Sequence, residues 1–263
     1  MSIIHAIILA VVEGFTEFLP ISSTAHMKIV DYLLSIPETP FRNMYEIVIQ
    51  FAAILAVVLI YRRKFFDFKN INFYLKLIVA VIPALIGGVL LKKHIDAALS
   101  NLQFIAIVMM AGGVLLLFVD KWFTKNKIKD EQHVDYLTAF KIGCFQVLSI
   151  VFPGLSRSAA TIVGGMSLGM TRKAAAEFSF FLAVPTMLAA SVKSLYDVAK
   201  EGTVSFSTTE VSILLIGCAV SFAVAFFAVK FFIEMLQRNG FRFFGFYRIA
   251  LGIFILILLL IKQ

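Results

Sequence analysis

The sequence predicts an all-α polytopic membrane protein with an inverted-topology repeat, comprising about six full transmembrane helices and two broken, re-entrant helical hairpins. Three observations carry that expectation. The 263 residues are 60% hydrophobic and 15% charged, with a mean hydropathy of +0.94, whereas soluble domains sit near half apolar and a quarter charged. The apolar residues gather in long runs, and the stretches 104–119 and 211–229 hold no charge. Two further apolar stretches are interrupted by proline and then by hydroxyl residues, at corresponding places along the chain.

The first broken segment opens the sequence. An apolar run from Ile3 to Val12 leads into Glu13-Gly14-Phe15-Thr16-Glu17-Phe18-Leu19-Pro20-Ile21-Ser22-Ser23-Thr24-Ala25-His26, too broken to cross a hydrocarbon core of about 30 Å as one helix. It carries neither the basic region nor the cleavage site of a secretory signal, so it is read as part of the mature fold. Full spans are expected next at about 44–61, 73–91 and 104–119. A basic loop at 120–137 leads to the second broken segment, apolar from about Ala139 to Phe152 and then Pro153-Gly154-Leu155-Ser156-Arg157-Ser158-Ala159-Ala160-Thr161. Spans at 174–196, 211–229 and 243–261 complete the chain. Irregular backbone at membrane depth needs protein or a watery cavity around it, so both breaks read as re-entrant hairpins.

Pro20 and Pro153 lie 133 residues apart, Glu46 and Glu177 lie 131 apart, and three spans follow each break. That spacing marks a repeat of whole structural units, giving one integral membrane domain, 1–263, with halves of about 1–120 and 136–263. Basic residues collect in four places: Arg62, Arg63, Lys64 and Lys69; Lys121, Lys125, Lys127 and Lys129; Arg172 and Lys173; Lys230, Arg238 and Arg242. Placing all four inside satisfies the positive-inside rule and the count of crossings. The loops at 31–43 and 197–210 then lie outside, the halves are inverted, and Lys92 and Lys93 are misfits. The net charge of +8 is accounted for by these loops facing anionic headgroups, so membrane lipids rather than nucleic acid are the expected surroundings. Cys144 and Cys218 read as packing residues. A homodimer stays open.

Ionisable groups inside apolar segments are costly and point to function. Glu13 and Glu17 share one helical face about 6 Å apart, which suits a divalent cation, Mg²⁺ or Ca²⁺, or one acid held protonated. Ser22, Ser23, Thr24 and His26 follow, with His26 a candidate acid, base or nucleophile. In the second break Arg157 needs an anionic partner, either phosphate or a carboxylate such as Glu13, Glu17 or Glu177. Gly154, Ser156, Ser158 and Thr161 complete an anion cradle with it. Glu46, Gln50 and Glu177 are expected either to orient His26 or Arg157 or to satisfy broken backbone. At the offset of 133, Glu13 meets Gln146 and Glu17 meets Ile150. One half thus supplies acids and histidine and the other supplies positive charge, as phosphoryl transfer requires. A lipid-phosphate carrier or flippase is the rival reading, since inverted repeats with broken helices serve it equally well.

At these residues the chain closely resembles the bacterial undecaprenyl pyrophosphate phosphatases of the BacA type, also called bacitracin resistance proteins. EGFTEFLPISSTAH at 13–26 looks like their acidic signature and PGLSRSAAT at 153–161 like their PGxSRSxxT signature, while GCFQ at 143–146 and EFSFFLAVP at 177–185 extend the likeness over the whole chain. The resemblance implies a hydrolase of the bacterial cytoplasmic membrane that converts undecaprenyl diphosphate to undecaprenyl phosphate and inorganic phosphate. It implies recycling of the lipid carrier of peptidoglycan synthesis, bacitracin resistance, a site open to the outer face and stimulation by divalent cations. It also implies catalytic roles for Glu13, Glu17, Ser23, His26 and Arg157; the paired acids make Glu13 and Glu17 the expected metal ligands, helping Arg157 and the hydroxyls of 156–161 to bind the pyrophosphate. The nucleophile stays open between water activated by a carboxylate or His26 and a phospho-enzyme on Ser23 or His26.

Overall fold

The computed structural model describes residues 1–67, 69–124, 126–201 and 207–261. Lys125 and residues 202–206 of the predicted 197–210 loop lie outside them. Twelve α-helices run through the described residues: α1 (Ile3–Thr16), α2 (Ser23–Leu34), α3 (Pro40–Ile60), α4 (Arg62–Phe65), α5 (Ile71–Leu90), α6 (Lys92–Leu99), α7 (Leu102–Trp122), α8 (Tyr136–Val151), α9 (Arg157–Ser167), α10 (Arg172–Glu201), α11 (Thr208–Asn239) and α12 (Arg242–Ile261). Six of these, α3, α5, α7, α10, α11 and α12, are long and apolar enough to cross a membrane, and each corresponds to a predicted span. α11 runs ten residues beyond the predicted 211–229. There Lys230 Nζ lies 4.0 Å from the Phe226 ring centroid and Arg238 pairs with Glu234 at 2.9 Å, so pairs one turn apart carry the helix past its apolar stretch. The misfit Lys92 and Lys93 open the short α6, which the hydropathy pattern did not reveal.

The helix pairs α1/α2 and α8/α9 are the two hairpins, and each returns to the face it came from. Met1, Ile36, Phe41, Val198 and Ile213 share one packed cluster, which gathers the chain start, the beginnings of α3 and α11 and the end of α10 at one face. The opposite face is tied by Asp120 at the end of α7, which accepts from Phe241 N at 2.7 Å beside α12 and from Arg172 Nε at 2.6 Å on α10. Lys64 pairs there with Glu131, and Lys76 donates to Gln132 O at 2.7 Å. With non-crossing hairpins and three crossings per half, the second half starts from the other face, and the repeat is inverted.

Packing repeats the symmetry. α1 lies on α11 as α8 lies on α5, while α7 meets its counterpart α12 and α3 meets its counterpart α10. Both hairpin contacts depend on a missing side chain: a Cβ on Gly14 would sit 2.5 Å from Ser221 O, and one on Gly143 2.2 Å from Ala80 O. Backbones that approach this closely gain dispersion contact that larger residues would forfeit. Cys144, next to Gly143, is exposed on the outward side of α8, and Cys218 is half-buried. Cys144 is therefore not the packing residue that the apolar run suggested.

Candidate active site

The two hairpin tips meet in the interior. Each tip ends on a serine with positive φ, Ser22 at 69° and Ser156 at 74°. Each of these serines caps the next helix, Ser22 Oγ accepting from Ala25 N and Ser156 Oγ from Ala159 N, both at 3.3 Å. The first residues of α2 and α9 are therefore equivalent by the repeat, and they are Ser23 and Arg157. Both reach Glu17, which follows the last turn of α1. Ser23 Oγ donates to Glu17 Oε2 at 2.6 Å, and Arg157 Nη2 donates to Glu17 Oε1 at 2.8 Å. Gln50 on α3 adds a longer contact to Oε2 at 3.4 Å, and Arg157 Nη1 donates to Ser179 O at 3.1 Å. The expected ion pair of Arg157 is thus with Glu17, and the helix N-termini bearing its two partners direct their positive ends to the same place.

Two cavities adjoin at this point. One, about 400 Å³, is mostly apolar and runs between α5, α6, α8 and α10. Its polar end holds Glu17, Ser22, Ser23, Thr24, Gln50, Gly154, Ser156 and Arg157. The other, about 530 Å³, is the more polar of the two and is lined among others by Glu13, Ser23, Thr24, Lys28, Glu38, Arg42, Glu46, Gln50 and Asp96. Ser23, Thr24 and Gln50 border both. An amphiphile with an anionic head and a greasy tail matches that pairing of volumes.

Glu13 is buried, and its Oε1 has no hydrogen-bond partner among the described residues. It lines the polar cavity beside Glu46, which takes Arg42 Nη2 at 2.7 Å; the same guanidinium also pairs with Asp31. These hard oxygens are of the kind that Mg²⁺ or Ca²⁺ takes, and such a cation would be held chiefly by Glu13, with Glu17 sharing an oxygen already committed to Arg157 or Ser23. Among the described residues no group of three or more His, Cys, Asp and Glu could hold a metal ion. A cation would complete its shell with water and phosphate oxygens, as Mg²⁺ commonly does.

Residues 6–254 match the family model of the bacitracin resistance protein BacA. The chain belongs to that family. It is 49% identical to an undecaprenyl-diphosphatase of Flavobacterium psychrophilum over 258 residues, 98% of this chain and 96% of that one. A Porphyromonas gingivalis undecaprenyl-diphosphatase is 45% identical over 276 residues, covering 99% and 98%. One from Bdellovibrio bacteriovorus is 46% identical over 261 residues, covering 98% and 97%.

Within this BacA-family site several predicted residues take other places. His26 lines neither cavity. Its Nδ1 meets Ser22 O and its Nε2 meets Tyr247 Oη, both at 2.7 Å, so the ring links the first tip to α12. Ser158 and Thr161 point away from the cavities. Ser158 Oγ donates to Leu19 O at 2.8 Å, and Thr161 Oγ1 lies 2.7 Å from Ser179 Oγ, so they fasten α9 to the opposing tip and to α10. Glu177 lies at the far face, 3.4 Å from Tyr61 Oη and 4.0 Å from Lys173 Nζ, and orients neither His26 nor Arg157. An inverted repeat sends equivalent residues to opposite faces, so Glu46 can border the site while Glu177 cannot.

Sequence reasoning missed Arg248. It is fully buried on α12 and donates to Met109 O at 3.1 Å, to Pro20 O at 3.0 Å, to Leu155 O at 2.7 Å and to Gly154 O at 3.0 Å. One guanidinium thus supplies donors to carbonyls of both tips, where helices are broken and acceptors would otherwise be orphaned. An arginine inside the predicted 243–261 span was the available signal. Gly154, at φ 101°, fits only without a Cβ, which would stand 2.4 Å from Ile105 O.

Proposed function

We propose that this chain hydrolyses undecaprenyl diphosphate to undecaprenyl phosphate and inorganic phosphate in the bacterial cytoplasmic membrane. The reaction would recycle the lipid carrier for peptidoglycan synthesis, and higher levels of the protein would confer bacitracin resistance. The observation that carries the reading is the convergence of Ser23 and Arg157, from opposite halves, on Glu17 at the polar end of an apolar cavity. The names of the relatives support the substrate. The diphosphate lies against Arg157 and the two helix N-termini, and the first part of the prenyl tail fills the apolar cavity. Because such a tail gains about 0.8 kcal/mol per buried CH₂ in protein and bilayer alike, the headgroup contacts decide specificity. The basic loops lie inside, so the cavities open to the outer side.

Ser23 is the nucleophile favoured by geometry, since its hydroxyl already donates to a carboxylate. Glu17 takes the Ser23 proton as Oγ bonds to the terminal phosphorus and the bond from that phosphorus to the bridging oxygen breaks. Undecaprenyl phosphate leaves, taking that proton from Glu17 onto its freed oxygen so that Glu17 is again a carboxylate, and Arg157 neutralises charge on the transferring group. Water, reaching the phosphoserine from the polar cavity, then attacks the phosphorus with Glu17 taking its proton; the P–Oγ bond breaks, Glu17 returns the proton to Ser23 Oγ, and inorganic phosphate is freed. A divalent cation held by Glu13 and Glu17 would add charge neutralisation. His26 acts through the Ser22 carbonyl, fixing the turn that aims Ser23. A carrier would bind phosphate without needing a hydroxyl hydrogen-bonded to a carboxylate, so hydrolysis is preferred to the flippase reading.

The test is phosphate release from a long-chain prenyl diphosphate by the protein purified in detergent, with and without chelator. Release should need Ser23, Glu17 and Arg157, and an acid quench should trap phosphate on wild type but not on Ser23→Ala. Turnover by Ser23→Ala at the wild-type rate would overturn the serine route.

A further inference from the structure

Two residues that line the apolar cavity, Gln146 and Arg157, each hold a buried atom with no hydrogen-bond partner among the described residues, Gln146 Oε1 and Arg157 Nε, one an acceptor and the other a donor. Gln146 sits on α8 and is 1% exposed. Its orientation is decided by Thr186 on α10. The Thr186 hydroxyl donates to Leu182 O at 2.8 Å, so toward Gln146, 3.3 Å away, it can only accept. The amide nitrogen therefore faces Thr186, which leaves the carbonyl oxygen as the unmatched atom. A buried acceptor and a buried donor without partners, on two residues that line one cavity, each cost about 1–3 kcal/mol. A single group satisfies both if it carries an acceptor oxygen and a hydroxyl together.

We propose that Gln146 is a further substrate-binding residue, accepting a hydrogen bond from the protonated oxygen (P–OH) of the terminal phosphate while Arg157 Nε donates to an unprotonated oxygen of the same group. The inference rests on the diphosphate reading of the site and adds to it a residue from the second hairpin, three residues after Gly143 as Glu17 is three after Gly14. The half without the acids thus has an uncharged acceptor where the other half has a carboxylate. A neutral acceptor tells a proton-bearing phosphate from an anion that can only accept, without repelling either.

Inorganic phosphate and sulfate provide the probe, being tetrahedral anions of similar size of which only phosphate carries a proton near neutral pH. Both are tested as competitive inhibitors of prenyl diphosphate hydrolysis by wild type, Gln146→Met and Gln146→Glu, with thermal melts in detergent to confirm folding. Wild type should favour phosphate over sulfate by about tenfold, the weight of one buried hydrogen bond. Gln146→Met should bring the two near parity, raising KM with little change in kcat. Gln146→Glu, which keeps an acceptor but adds charge, should weaken both anions and keep or widen the preference. A preference unchanged in folded Gln146→Met, or absent from wild type, would overturn the proposal and leave Gln146 a residue that holds α8 to α10 through Thr186 and water. Arg157→Ala separates the two levels: if it hydrolyses normally the diphosphate site itself is misplaced, whereas its inactivity beside an unaltered Gln146→Met rejects only the present inference.

Discussion

The tips of the two hairpins share a backbone and differ in chemistry. In each, an apolar helix ends, the chain turns through a serine at positive φ, that serine caps a second helix, and the first residue of that helix reaches Glu17. The first tip places a hydroxyl there and supplies the carboxylate. The second places a guanidinium and supplies none. Symmetry of the backbone brings two positive helix ends to one point, and asymmetry of the side chains puts a carboxylate, a hydroxyl and a guanidinium there. The repeat alone explains an anion site. The exchange of Ser23 for Arg157 at equivalent positions sets a hydroxyl and a guanidinium on the two oxygens of Glu17.

The largest effect is expected where the asymmetry is erased. Arg157→Ala should lower kcat about 10³-fold, in the range found for lost transition-state donors. Arg157→Lys should recover little, because an ammonium cannot hold Glu17 and phosphate with one planar fork. Steady-state phosphate release checks both. Ser23→Ala should lose a similar factor together with any trapped phosphoenzyme, and its melting temperature should stay close to that of wild type. The shared element is broken next: Arg248→Met should destabilise the protein by about 3 kcal/mol or more by leaving carbonyls of both tips unpaired, read as a fall in detergent melting temperature. Gly154→Ala disturbs only the second tip and should cost about 2 kcal/mol, through strain at positive φ and the clash with Ile105 O. The smallest effects should come from the two caps, Ser22→Ala and Ser156→Ala, at about 1 kcal/mol each. Near-equal losses would sharpen the view that the tips are mechanically alike.

How far the sequence revealed this can be judged from particular residues. Six spans were legible because a bilayer demands long apolar runs, and the hairpins because Pro20 and Pro153 break such runs before hydroxyls. That Arg157 needs an anionic partner was legible because unpaired charge is costly there, but the choice of Glu17 over Glu13 and Glu177 was not. The direction of each hydroxyl was not, since successive residues on α9 turn by about 100° and only packing against Leu19 and Ser179 decides which face Ser158 and Thr161 take. Glu177 was placed by its spacing from Glu46, but spacing does not say that inversion carries it to the other face. Arg248 was within reach by the same reasoning that found Arg157. It differs in having only carbonyl partners from distant segments, which no local pattern announces.

The account's central claim is that the two halves build one catalytic unit, and a double-mutant cycle between Glu17→Gln and Arg157→Gln on kcat/KM tests it most directly. Groups that act as a unit lose activity once, so each single variant and the double should be impaired alike, about 10³-fold. If the double variant instead fell by the product of the two single losses, Glu17 and Arg157 would be acting independently, and a site shared between the hairpins would be contradicted.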